Sequence, residues 1–237
     1  MSTSSSTSFA APVGRYPAAL SGHLDPTVSR WKWLVKWFLA IPHYVILIGL
    51  GIAAAAVTVV AWFAILVTGR YPRSLFDFTV GVLRWNWRVS FYTYSALATD
   101  QYPPFTLAAT DYPAGFEVEY PAHLSRGLAL VKTWLLAIPH YLVLGALIGG
   151  GWSLLGGIGS FASRSEAGIA LSVLGALVLI AAVILLFTGV YRAGLFALIM
   201  GINRWTYRVI SYSALLTDSY PPFRLDLGGN ENEGPVL

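Results

Sequence analysis

Two histidines stand in matching octapeptides, Trp37-Phe38-Leu39-Ala40-Ile41-Pro42-His43-Tyr44 and Trp134-Leu135-Leu136-Ala137-Ile138-Pro139-His140-Tyr141. A pair of imidazoles in equivalent places has the chemistry of axial haem or metal ligands. The simpler reading is a local hydrogen bond made by each ring at the edge of an apolar span. No cofactor and no metal is therefore expected, and His43 with His140 is the ligand pair if one is bound. Arginine spacing offers a second chemistry: Arg84 with Arg88, and Arg204 with Arg208, lie four apart and share a helical face, as a clamp on a phosphate requires. With Lys32, Lys36, Arg70 and Arg73 they are the candidate contacts to lipid headgroups, against a plainer role as cytoplasmic-side anchoring charges. No catalytic residue is expected. There is no Cys, no paired carboxylates and no nucleophile beside a base. The glycines at 149–151, 156, 157 and 159 follow no strand and precede no Lys, so they resemble neither a P-loop nor a dinucleotide fingerprint.

The elements that carry these residues are apolar. Of 237 residues, 56% are hydrophobic and 11% charged, where a soluble domain carries roughly 25% charged residues. The excess must face lipid. Three stretches hold no Asp, Glu, Lys or Arg: Trp37 to Gly69, Thr133 to Ser163 and Ala167 to Tyr191. Each exceeds the ~20 residues that span a hydrocarbon core. The absence of charge in them argues against ion-coupled transport. The first twelve residues lack a basic and an apolar region and read as a disordered start rather than a signal peptide, and 228–237 as a disordered tail.

The chain repeats itself. The octapeptides are offset by 97. Thr68-Gly69, Tyr71, Leu75-Phe76, Gly81, Arg84-Trp85 and Arg88-Val89 recur 120 residues later, as Thr188-Gly189 through Arg208-Val209. Thr99-Asp100 with Tyr102-Pro103-Pro104-Phe105 returns as Thr217-Asp218 with Tyr220-Pro221-Pro222-Phe223, and Tyr16-Pro17 with Leu20-Ser21 is matched to Tyr120-Pro121 with Leu124-Ser125. The copies run from about 13 to 110 and from 116 to 227. The Ala-Ile-Pro-His-Tyr, Thr-Gly-Arg-Tyr-Pro-Arg and Tyr-Pro-Pro-Phe blocks resemble those of the bacterial membrane proteins grouped as DUF4389, over nearly the whole chain. That family is named for its unknown function, so the resemblance implies no catalytic residues. Val190-Tyr191-Arg192-Ala193 stands where the first copy has Arg70-Tyr71-Pro72-Arg73, which weakens any role needing two identical basic turns.

The expected fold is a mainly α integral membrane protein of two tandem, pseudo-symmetric copies. Each copy is read as a transmembrane helical hairpin plus an interfacial amphipathic helix, with short β-strands in the cytoplasmic links. Copy one has its membrane segment at 34–68 and amphipathic helix at 74–97. Copy two has transmembrane helices at 134–157 and 168–189 and an amphipathic helix at 194–216. A hairpin in copy one turning near Gly49 to Ala56 leaves every Lys and Arg but Arg164 on one side; a single tilted helix splits them five against ten. Basic loops prefer the cytoplasm, which favours four spans with both termini cytoplasmic in a bacterial inner membrane, the single tilted helix being the alternative. Trp31, Trp33, Trp37, Trp85, Trp87, Trp134 and Trp205 are the expected interfacial anchors. Strands are expected around 102–107 and 116–121, with equivalents at 13–17 and 223–227.

Net charge is +4 and the pI about 9.4, so the expected partners are anionic membrane lipids and a protein partner or second copy, with no nucleic acid. The expected function is that of a non-enzymatic scaffold or accessory subunit of a membrane complex. The alternatives are a small transporter or channel with a site between the copies, and a haem or metal protein using the paired histidines.

Overall fold

The computed structural model describes residues 16–148 and 172–226. The expectations for 1–15, for the glycines and polar turn within 149–171, and for 227–237 lie outside the described residues. The order is β1 (Ala18–Gly22), α1 (Trp33–Leu39), α2 (Ile41–Thr68), α3 (Arg73–Tyr92), β2 (Ala114–Val118), α4 (Arg126–Val131), a π-helical turn at Lys132–Leu136, α5 (Ile138–Ile148), α6 (Val173–Thr188) and α7 (Ala193–Ser213).

The hairpin expected in copy one does not form. Ile41–Thr68 is one helix of 28 residues with Pro42 in its first turn and Gly69 as its C-cap. Pro is favoured at a helix start and Gly just past its end, whereas the isolated Gly49 and Gly51 cost only about 1 kcal/mol each within a helix. Copy two distributes the same sequence over two helices. By the offsets of 97 and 120, α5 corresponds to the first part of α2 and α6 to the last, and the 23 extra residues fall between them. α2 and Arg126–Gly145 are long and apolar enough to cross a membrane.

The π turn records a one-residue insertion. Leu34-Val35-Lys36 runs straight into Trp37, whereas Leu130-Val131-Lys132 is followed by Thr133 before Trp134. An added residue inside a helix is absorbed as a π bulge. Lys132 thereby stays aligned with Lys36, and Trp134 with Trp37.

The fold is layered. α2 packs on α3 and α6 on α7, while β2 lies over α3 and β1 over α7. The strands pair antiparallel with Leu20 opposite Phe116, so the chain before copy one is hydrogen-bonded to the chain between the copies. The sheet has these two strands only among the described residues. The segments at 102–107 and 223–226 are irregular: Pro103-Pro104 in the first, and Pro221-Pro222 just before the second, cannot donate to a ladder. The expected amphipathic helices exist as α3 and α7 but end earlier, at Tyr92 and Ser213, where the chain turns towards Leu97 and Leu215 at positive φ. They are inner helices, packed between the long apolar helices and the strands. Neither exposes a large apolar side chain, whereas α1, α2, α4, the π turn, α5 and α6 carry a run of them from Leu34 to Phe187. Trp87 and Phe116 of one side pack on Tyr207 of α7, at 5.4 and 5.2 Å between ring centroids.

Each long apolar helix ends at a left-handed glycine, Gly69 at φ +70° and Gly189 at φ +71°. Arg126 lies over the first and Arg30 over the second, so each copy's helix end is covered by the other copy's entry segment. A Cβ on Gly189 would sit 2.5 Å from the Arg30 guanidinium. Gly189→Ala should therefore destabilise the fold by about 1–2 kcal/mol through the left-handed backbone alone, read as a lower unfolding temperature in detergent; an unchanged transition would refute the role given to this cap.

Candidate functional site

The recurring Lys, Thr-Asp and His residues of each copy gather in a cluster at the start of a long apolar helix. Lys36 on α1 donates to the carbonyl of Thr99 at 2.8 Å and lies 2.9 Å from the Asp100 carboxylate; its side chain is 1% exposed. Lys132 repeats the arrangement, with the Thr217 carbonyl at 3.0 Å and Asp218 at 2.8 Å. Each carboxylate also accepts a backbone N–H from the entry segment, Ser29 to Asp100 at 2.9 Å and Ser125 to Asp218 at 2.6 Å. The structural counterpart of Ser125 is thus Ser29, and the match of Ser21 to Ser125 made on sequence is out of register. The Thr before each Asp closes the turn, its hydroxyl accepting from Gln101 N or Ser219 N at 3.1 Å.

The motif Thr-Asp-x-Tyr-Pro-Pro-Phe then delivers two rings to the histidine. His43 is fully buried, stacked on Phe105 at 3.9 Å and 14°, with Tyr102 at 4.9 Å. Trp85 on α3 donates its indole N–H to His43 Nδ1 at 3.1 Å. His140 is held alike by Phe223 at 4.1 Å, Tyr220 at 4.9 Å and the Trp205 indole at 3.3 Å. A nitrogen that accepts an N–H carries no hydrogen, so each ring is fixed as the Nε2–H tautomer. The two rings occupy separate cages with no residue in common. Among the described residues no group of three or more His, Asp or Glu is placed to hold a metal ion.

Of the arginines expected to reach for lipid headgroups, Arg84, Arg88, Arg204 and Arg208 point inward. Arg84 donates to the carbonyls of Phe116 at 2.9 Å and Leu107 at 3.0 Å. Arg204 donates to Leu20 at 3.1 Å and to the Asp226 carbonyl. Leu20 and Phe116 are cross-strand partners, so the two guanidiniums fix the sheet from both sides. Arg88 donates to Thr106 and Ala108 carbonyls at 3.2 and 2.6 Å, and Arg208 pairs with the Asp226 carboxylate under the ring of Tyr16. A guanidinium has five donors and cannot shed its charge, so burial forces it onto backbone carbonyls. Gly81, the repeated glycine one turn before Arg84, allows this: a Cβ there would meet Leu107 at 2.9 Å.

The remaining candidates divide by exposure. Lys32, Arg70 and Arg73 stay at the surface, Lys32 within 3.4 Å of Asp100 and Arg73 paired to Asp77 at 3.1 Å. Trp31, Trp37 and Trp134 are 60–71% exposed, as interfacial anchors would be, and Trp33 is half-buried. Trp85, Trp87 and Trp205 are buried and donate inward, Trp87 to the Ser21 carbonyl at 2.9 Å. Sequence reading missed Asp100 and Asp218 as partners of Lys36 and Lys132. The signal was present in the repeated Leu-Val-Lys and Thr-Asp, but a one-residue shift concealed the first.

Burial alone would raise the Asp100 carboxyl, but hydrogen bonds from Lys36 and Ser29 outweigh it and hold the group at about 2. A carboxylate whose folded value is depressed contributes stability above its ordinary range, lost as it protonates. Stability should fall as pH drops from about 4 to about 2, with this step missing in Asp100→Asn. The same substitution leaves Lys36 buried without a counter-charge and should cost about 3–5 kcal/mol, whereas Asp77→Asn, at an exposed pair, should cost under about 1 kcal/mol. Equal effects in a denaturation series would contradict this assignment.

Searches of curated proteins and of solved structures return no match. The family described as a domain of unknown function, DUF4389, matches residues 30–106 and 167–224. The first segment runs from Arg30, just before α1, to Thr106, and the second covers α6 and α7 and ends just after Phe223, leaving α4, the π turn and α5 outside both. With more than half of its length matched, in two segments consistent with two copies, the chain belongs to the DUF4389 family.

Proposed function

We propose that the protein is a non-enzymatic membrane scaffold: a pair of copies related by a pseudo-two-fold axis, held in a bacterial inner membrane by one apolar layer and presenting its sheet side to water. The observation that carries this reading is the use of the repeated polar residues. Lys36, Lys132, Arg84, Arg88, Arg204 and Arg208 are all spent on carbonyls or carboxylates that tie chain segments together. What the surface offers instead is the apolar face of α1, α2 and α4 to α6, with exposed Trp31, Trp37 and Trp134 among it. Trp prefers the headgroup level. Contacts to anionic lipid then rest on the exposed Lys32, Arg70 and Arg73.

The four-span arrangement is not carried forward, since α2 does not turn back. A single crossing by α2 also fits poorly. The segments before and after it are joined directly, through the β1–β2 ladder, Asp25 N to Ala98 O at 2.9 Å, and Lys36 to Asp100. The α3 helix cannot serve as the return span, because Arg73 and Asp77 on it are exposed and Arg84 holds an irregular polar loop. The apolar layer instead lies within one leaflet, as amphipathic interfacial helices do, and both ends of the described chain lie on the cytoplasmic side. Tyr16 donates to the Ser219 carbonyl at 3.0 Å, which keeps those ends together.

The absence of native Cys makes labelling clean. Thr27→Cys and Arg70→Cys, on either side of α2 and both exposed, should react with an impermeant maleimide from the same face of sealed inner-membrane vesicles. Reaction from opposite faces would show that α2 crosses. In mild detergent, native mass spectrometry should find the chain in an oligomer or complex, and a lone monomer would remove the scaffold role.

A further inference from the structure

The two copies differ where each one's apolar helix meets the other's entry helix. On α2, Trp62 reaches over α4 and donates its indole N–H to the Ala129 carbonyl at 2.9 Å. By the offset of 120, the residue in the place of Trp62 on α6 is Ala182; by the Leu-Val-Lys alignment, the residue in the place of Ala129 on α1 is Trp33. Large and small have changed sides, but the exchange does not close the contact. A cavity of about 320 Å³ lies there, lined by Trp33, Lys36 and Trp37 of α1, Tyr44 of α2, and Val178 and Ala182 of α6, among others. The Trp33 indole N–H is buried and, unlike that of Trp62, has no acceptor. A buried donor without an acceptor is unfavourable, so a ligand that brings one binds more tightly for it.

The wall is otherwise apolar, apart from Lys36, Tyr44, Thr93 and Tyr94. A cavity at the lower end of ligand-site volumes, about 300–1,000 Å³, suits one aliphatic chain with a single oxygen acceptor at its polar end. Trp37, on its wall, is 61% exposed on the apolar face, and Lys32 next to Trp33 is 47% exposed, which sets the site at headgroup level. We infer that this groove between the copies holds one acyl chain of a membrane phospholipid, whose ester carbonyl accepts the hydrogen bond of Trp33. The site is a fixed lipid position at the joint between the copies, distinct from the general apolar face. It rests on the membrane reading above.

The test uses the full chain, delipidated in detergent and titrated with dioleoyl phosphatidylglycerol, with oleic acid as a second arm, and followed by native mass spectrometry. One phospholipid per chain should bind more tightly than the rest. Ala182→Trp, which gives α6 the residue that α2 already carries, should remove that tight lipid. Trp33→Phe keeps the ring and deletes the donor, and should weaken it about three- to tenfold, the value of one hydrogen bond. Should Ala182→Trp not fold, the double variant Trp33→Ala with Ala182→Trp copies the Trp62–Ala129 contact and carries the same expectation. Undiminished tight binding in these variants, or oleic acid binding as tightly as the phospholipid, would overturn the assignment. Carbonate extraction of the wild-type chain reads the membrane association separately: a chain washed from the membrane ends the scaffold reading, while one that stays but holds no tight lipid ends only this inference.

Discussion

A buried cation must be met by an acceptor, and most of this fold follows from meeting five of them. Lys36, Lys132, Arg88, Arg204 and Arg208 are each 2% exposed or less. None can be left unpaired away from water without a cost of several kcal/mol. The acceptors come from irregular chain, the Thr-Asp turns and the segments at 106–108 and 226, and for Arg204 also from Leu20 of β1, because helical carbonyls are already engaged. The long connections after α3 and α7 are therefore as much a part of the core as the helices. They are bound by charge where an ordinary core would be bound by apolar packing.

The same requirement joins the copies. Arg84 and Arg204 take the carbonyls of cross-strand partners, so a ladder of only two strands is stabilised from both helices it rests on. Two strands alone are marginal in water. Here they lie over α3 and α7 and close the chain before copy one against the chain between the copies. Arg30 over Gly189 and Arg126 over Gly69 complete an exchange in which each copy covers the other's helix end.

Much of this could be read from the residues. The repeats, the apolar runs and the existence of helices at α3 and α7 all followed from spacing and composition, whereas the hydrogen bond that holds each histidine comes from a Trp on another helix. Trp85 and Trp205 were visible as repeated residues, yet their direction was not. A Trp beside an Arg on a helix reads equally as an interfacial anchor and as a buried donor, and only the neighbouring histidine decides. The arginines misled for a related reason: spacing of four places two charges on one face but does not say whether that face meets water, lipid or a carbonyl.

Sequence by itself determined that the chain carries apolar runs long enough to cross a membrane and that it is built of two copies, because these are matters of composition and order. Tertiary structure alone decided that α2 runs unbroken, that the repeated cations face inward, and that the second copy absorbs Thr133 as a π turn. Those outcomes depend on which carbonyls come within reach of which side chains. That is a property of long-range packing, and local sequence does not contain it.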